Sequence, residues 1–282
     1  MSILYQLEYN TTNLYDAEVA EGHFDFKILP LQEGQQKLLS YKVKSNLNVP
    51  YEVYHNHQGF DVVRVHIYEP FQEFKLQFNA TVEVEERNVF DMLFKSTQQE
   101  QAYYQSDECR LQYYSETLVT PSTSIGAERI KEFPNFTWKQ QVFYYLEELN
   151  HSVHDYLAFD AQATEVDSSL EEVLSLKKGV CQDYAHLYIA IARSYGIAVR
   201  YVSGYLHQGK DFKGASQLHA WVEAYVPYIG WVGFDPTNAI LADHHYIKIC
   251  HGSDYHDCSP IKGVLRTSGS SQTSYQVRVE TQ

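Results

Sequence analysis

The chain has 282 residues and a formal net charge of −14, with 36 acidic against 22 basic side chains. That balance, with no basic stripe anywhere, argues against a nucleic-acid backbone as partner. The length supports a large core and two domains, and four cysteines in so long a chain make no disulfide framework.

The opening residues, MSILYQLEYNTT, are too polar for a secretory signal, and no later run is apolar enough to span a membrane. The expected location is therefore the cytoplasm. Residues 1 to about 95 read as β-structure. Ile3–Tyr9, Lys37–Lys44, Phe60–Ile67 and Lys75–Glu85 alternate, with turn residues such as Asn56–Gly59 between them, which suits an antiparallel sandwich or barrel. His55 and His57 are read as a polar hairpin tip, because a metal would need a third ligand nearby.

Residues 88–135 show no single period, and the Pro121–Ser124 stretch with Gly126 marks loop. We therefore divide the chain into a β domain with a mixed linker, residues 1–120, and a second domain, residues 121–282. Thr137 with Gln140 has the spacing of a capping box, followed by Val142, Leu146, Leu149 and Val153 at helical period. Ser169 with Glu172 makes a second box, opening a short helix that ends near Gly179. The next stretch, GVCQDYAHLYIAIARSYG over residues 179–196, is apolar all round before Arg193, so it predicts a buried helix stopped by Gly196. Cys181 falls at its start, where unpaired N–H groups favour thiolate over thiol.

Strands follow that helix. Residues 197–206 form the first, and the polar segment 207–217 reads as a surface loop. His219–Val226 alternates strictly, with His219, Trp221, Glu223 and Tyr225 on one face and Ala220, Val222, Ala224 and Val226 on the other. Pro227–Gly230 turns the chain, and Trp231–Phe234 runs back to Asp235, where Pro236 ends the ladder. Pairing Val226 with Trp231 would set His219 opposite residue 238, so His219 and Asp235 are expected together at the open end of the hairpin. Helices followed by strands in this order predict an α+β domain, with helices packed on an antiparallel sheet.

Taken together, GVCQDYAH (179–186), HAWVEAYV (219–226) and GWVGFDPTN (230–238) resemble the core of the transglutaminase-like superfamily. The resemblance is strongest to its bacterial cysteine protease branch, which carries an N-terminal β domain. It covers residues 137–262 and implies a papain-like core in which Cys181 is the nucleophile, His219 the base and Asp235 the orienting carboxylate. GSDYHDCSPIKG (252–263) resembles a loop that closes such a core, with Ser253 where a basic residue is expected.

The chemistry of these side chains points to a thiol hydrolase, a cysteine peptidase or amidase, that opens peptide-like amides through a thioester. A protein-glutamine gamma-glutamyltransferase uses the same thioester with an amine as acceptor. A binding module with a relic triad is the third reading. Asp183 in the first helical turn is expected to cap free N–H groups, and Trp221 and Trp231 to shield the site from water. His186 reads as a packed core residue. Cys250, His251, His256 and Cys258 match no zinc pattern, so neither metal nor cofactor is expected. The expected partner is a peptide or protein substrate, without nucleic acid or membrane.

Overall fold

The computed structural model describes residues 2–86, 94–207 and 217–282. Period-two alternation in the first part produces β1 (Ser2–Val19), β2 (Glu21–Phe26), β3 (Gln36–Ser45), β4 (Tyr51–His55), β5 (Asp61–Ile67) and β6 (Phe71–Glu85). Two strands from the far end of the chain, β14 (Ile261–Arg266) and β15 (Ser271–Thr281), join them. The result is two four-stranded antiparallel sheets, ordered β15-β1-β6-β3 and β14-β2-β5-β4. Their apolar faces meet through aromatic rings. Phe24 of β2 stacks on Phe74 of β6 at 4.8 Å and also meets Phe71 of β6 at 6.4 Å.

The last strands therefore hydrogen-bond into the N-terminal sheets, with β15 running along β1 from Tyr5↔Thr281 to Tyr15↔Ser271. Alternation tells a strand which face to bury but not which edge to pair with. Sequence-based division at residue 120 had no means of seeing this long-range return.

The intervening chain holds α1 (Thr97–Tyr104), α2 (Asp107–Gln112), α3 (Ala127–Ile130), α4 (Val142–Tyr156), β7 (Ala158–Phe159), α5 (Leu170–Leu176), β8 (Lys178–Gly179) and α6 (Cys181–Ser194). After them come β9 (Val199–Leu206), β10 (His219–Val226), β11 (Gly230–Asp235), β12 (Ile240–Leu241), β13 (Tyr246–Gly252) and α7 (Tyr255–Cys258). These five strands form an antiparallel sheet ordered β12-β11-β10-β9-β13, and α6 packs across it. Most of the 207–217 loop reading lies outside the described residues. No helix among the described residues is long and apolar enough to cross a membrane.

One helix start differs from expectation. Thr137 and Gln140 make only a turn, with Gln140 N donating to the Thr137 carbonyl at 3.1 Å, and α4 begins at Val142. Its first N–H is capped at 3.0 Å by the buried carboxylate of Glu100, from α1. A cap supplied from a remote helix leaves no local signature. The Ser169–Glu172 box forms as its spacing predicts, with Ser169 N donating to Glu172 at 2.7 Å.

Candidate active site

Cys181 is positioned by backbone geometry on both sides. Lys177 turns the chain in the left-handed region (φ 51°), Gly179 follows, and Val180 is extended before α6 begins. Asp183 reaches back from the first turn, its Oδ2 accepting from Val180 N at 2.8 Å and from the Thr164 hydroxyl at 2.6 Å. Asp183 therefore caps the helix. Burial pushes its carboxyl up, while the Thr164 and Val180 hydrogen bonds pull the other way. Gly179 is required for space, since a Cβ there would lie 2.5 Å from Asp183 Oδ2. Gly179→Ala should displace this cap and shift the Cys181 end of α6. We expect turnover to fall by more than about tenfold, with a loss of roughly 1–2 kcal/mol in urea unfolding.

The helix behind the thiol is buried on every side, and its tyrosine hydroxyls find partners. Tyr184 donates to Leu157 O at 2.6 Å and Tyr188 to Leu146 O at 3.1 Å. Gly196, at φ 75°, ends the run. His186 is buried, accepts from Tyr255 N at 3.1 Å, and is held by burial at a pKa of about 4. It is a neutral core residue. Cys109, Cys250 and Cys258 are buried, whereas Cys181 is partly exposed.

His219 and Asp235 meet at the hairpin's open end. The structure pairs Tyr225 with Trp231 and Val226 with Gly230, one residue away from the register expected. Continuing that register by one step puts Asp235 on the face of Trp221 and His219. A Val226–Trp231 pairing would have put Asp235 opposite Val222, facing the other way. His219 Nε2 lies 2.7 Å from Asp235 Oδ2, with both side chains fully buried.

Five donors converge on the Asp235 carboxylate. Besides His219, these are Thr237 N (2.9 Å), Asn238 N (3.3 Å), Asn238 Nδ2 (2.7 Å) and the Tyr246 hydroxyl (2.7 Å). Burial works against its charge, but His219 and these donors keep its pKa below the ordinary carboxylate value. Because the carboxylate only accepts, Nε2 of His219 carries the hydrogen, and Nδ1, without another hydrogen-bond partner, is the nitrogen left to face the thiol. Burial works against the imidazolium as well, yet Asp235 first and the adjacent Cys181 second raise the ring's pKa to about 10.

A raised histidine stabilises the fold below its unfolded pKa and loses that contribution as pH climbs through its folded value. The lowered Asp235 contributes above its unfolded pKa and loses its share as pH falls through its folded value. Unfolding free energy should therefore drop as pH rises through about 10. The drop should be shallower in His219→Ala, as measured by urea titrations across that range.

The other expected residues divide. Trp221 is buried, lies nearly parallel to His219 at 6.4 Å and meets Tyr246 edge-on at 5.3 Å. Trp231 stands elsewhere on the hairpin. Its described ring neighbours are Tyr113, Tyr225 and the Arg200 guanidinium at 4.2 Å. A cavity of about 430 Å³ opens near the two indoles, lined also by Arg200, Glu223, Lys248 and Tyr246 but not by Cys181, His219 or Asp235.

Sequence reasoning missed Tyr246 and Asn238. Asn238 lies three residues past Asp235 in the same DPTN turn, a local signal, whereas Tyr246 arrives on β13 and has none. It also missed the tyrosines around the thiol. Burial, with the Cys181 charge adding to it, raises the hydroxyls of Tyr201 and Tyr275, the latter to about 12. Tyr275 belongs to β15, so the N-terminal sheet contributes to the surroundings of Cys181.

The comparisons align one stretch of the chain with a known family. Residues 135–236 match the family model of the transglutaminase-like superfamily, so the chain carries a transglutaminase-like domain. An uncharacterized protein of Mycobacterium tuberculosis is 35% identical over 159 residues, covering 53% of this chain and 51% of that protein. The match thus spans about half the length of the relative. A protein-glutamine gamma-glutamyltransferase of Pseudomonas aeruginosa is 32% identical over 106 residues, 35% of this chain and 15% of that protein. A solved candidate cysteine protease from Cytophaga hutchinsonii superposes with a TM-score of 0.76 at 18% identity, covering 100% of this chain and 91% of the other. It shares the mixed architecture of antiparallel sheets with a transglutaminase-like core.

Proposed function

We propose that the chain is a thiol hydrolase that cleaves peptide-like amide bonds. Cys181 is the nucleophile, His219 the general base and then acid, and Asp235 the group that orients and stabilises the imidazolium. The observation that carries this reading is a buried histidine with one nitrogen on a five-donor carboxylate, the other nitrogen without a hydrogen-bond partner, and an adjacent, partly exposed thiol at a helix start. His219 Nδ1 holds the thiol proton in an imidazolium–thiolate pair, and Sγ attacks the carbonyl carbon from that pair. The oxyanion forms beside the Cys181 N–H, a donor at the positive end of α6. His219 then protonates the departing amine as the C–N bond breaks, leaving a thioester. Water, deprotonated by His219, attacks the thioester and releases the carboxylic acid and the thiol. Asp183 acts here only by holding the helix start, and Trp221 by keeping water from the back of the ring. In the same reading the β domain, with Tyr275, forms one wall of the substrate cleft.

The likeness to the Pseudomonas aeruginosa transferase supports a second reading, in which a primary amine resolves the thioester. One experiment separates the two. A glutamine-containing peptide library is incubated with the protein, with and without excess primary amine, and products are read by mass spectrometry. Cleaved or deamidated peptides are the expected result. Amine adducts that vanish in Cys181→Ala would make it a transferase, and no product of any kind would leave a binding module.

A further inference from the structure

A cluster outside the Cys181 site offers a different chemistry. Asp243, His244 and His245 are consecutive in the turn before β13, and one ligand atom from each lies within 4.8 Å of the others. Asp243 Oδ1 is 2.9 Å from His245 Nδ1, and Asp243 Oδ2 is 3.9 Å from His244 Nδ1. A third imidazole comes from another element. His207, directly after β9, donates its backbone N–H to the His245 carbonyl at 2.9 Å, and its ring lies parallel to that of His245, with centroids 5.6 Å apart and planes 8° apart. Its Nδ1 is buried and has no hydrogen-bond partner.

Three imidazoles and one carboxylate drawn from two segments are more than a turn needs. Asp243 alone satisfies the turn, through His245 N at 2.9 Å. The ring of His207 packs on Tyr5 at 5.2 Å, but among the described residues nothing hydrogen-bonds its Nδ1. We propose that His207, Asp243, His244 and His245 bind a divalent first-row transition ion of the Zn2+ type. An imidazole-rich set with a single carboxylate suits zinc, cobalt, nickel or copper, whereas calcium and magnesium require mostly oxygen ligands. Small rotations of His244 and His245, both half-buried, bring the three donors of the turn, now up to 4.8 Å apart, to the spacing around such an ion, with His207 reaching it from the end of β9. The ion would tie the end of β9 to the 243–245 turn. Tyr246, the next residue, holds Asp235, so the tie would also steady the carboxylate side of the hairpin.

The test uses the full chain, freed of any affinity tag and dialysed against chelator, in a Cys181→Ala background so that the thiol cannot take the metal. Zn2+ is titrated calorimetrically, and Co2+ is used for its visible ligand-field bands. Expected is one ion per chain, with affinity weakened by about tenfold or more in Asp243→Asn and in His245→Ala, and with His207→Ala altering the Co2+ spectrum. Thermal unfolding should rise with Zn2+ and lose that rise in the same variants. No binding, or stoichiometric binding that these substitutions leave unchanged, would overturn the proposal. If a variant fails to fold by circular dichroism, protection of the three histidines from diethylpyrocarbonate by Zn2+ decides on the Cys181→Ala chain itself. Modification unaffected by zinc would then overturn it.

Discussion

Cys181→Ala is expected to abolish turnover, by about 10⁵–10⁶-fold where the nucleophile acts as a unit with its base. Residual rate above water would come from the backbone N–H at position 181 as oxyanion donor and from substrate positioning. The loss should appear in kcat with little change in KM, because the side chain removed is small and partly exposed. Folding should be nearly unaffected, since Cys181 lies at the edge of the core rather than within it. The same residue should be the one that iodoacetamide labels in the native protein, as the other three thiols are buried. His219→Ala should slow that labelling sharply, because the ring that accepts the proton is gone. Equal labelling of all four cysteines, or full activity in Cys181→Ala, would remove the basis for a thiol enzyme.

Asp235→Asn is the second large effect. The carboxylate occupies a site where five donors point inward and nothing accepts. An asparagine can keep its oxygen toward Thr237 N and Asn238 N, but its NH2 must then face His219 Nε2, the Asn238 amide and the Tyr246 hydroxyl. His219 can satisfy that NH2 only by giving up the Nε2 hydrogen, which moves its proton to Nδ1, against the thiol. The base is then in the wrong tautomer, and a drop of about 10⁴-fold in kcat follows from that alone. Stability should fall by roughly 1–3 kcal/mol, from donors left unpaired in a buried site. Tyr246→Phe removes only one of the five bonds and serves as the control. It should lower kcat by about tenfold and leave the tautomer unchanged, which the imidazole NMR shifts would report.

The amino-acid order by itself determined a good deal. Helix α6 was legible because its apolar residues leave no solvated face and Gly196 stands at its end. The β10–β11 hairpin was legible because strict alternation and a Pro–Gly turn are local signals, and the Ser169–Glu172 cap because both partners lie within one turn. The residue types at 181, 219 and 235 were equally plain. Tertiary structure decided what depends on partners far along the chain. Glu100 caps α4 from a separate helix, Tyr246 reaches Asp235 from another strand, and Tyr275 comes to the thiol from the last strand of the N-terminal sheet. Above all, it decided the hairpin register. Side chains in a strand alternate with a period of two, so a slip of a single residue would have turned Asp235 away from His219. Sequence reading places a turn only to within a few residues. The hydrogen-bonded pairing of Val226 with Gly230 is what sets both side chains on one face.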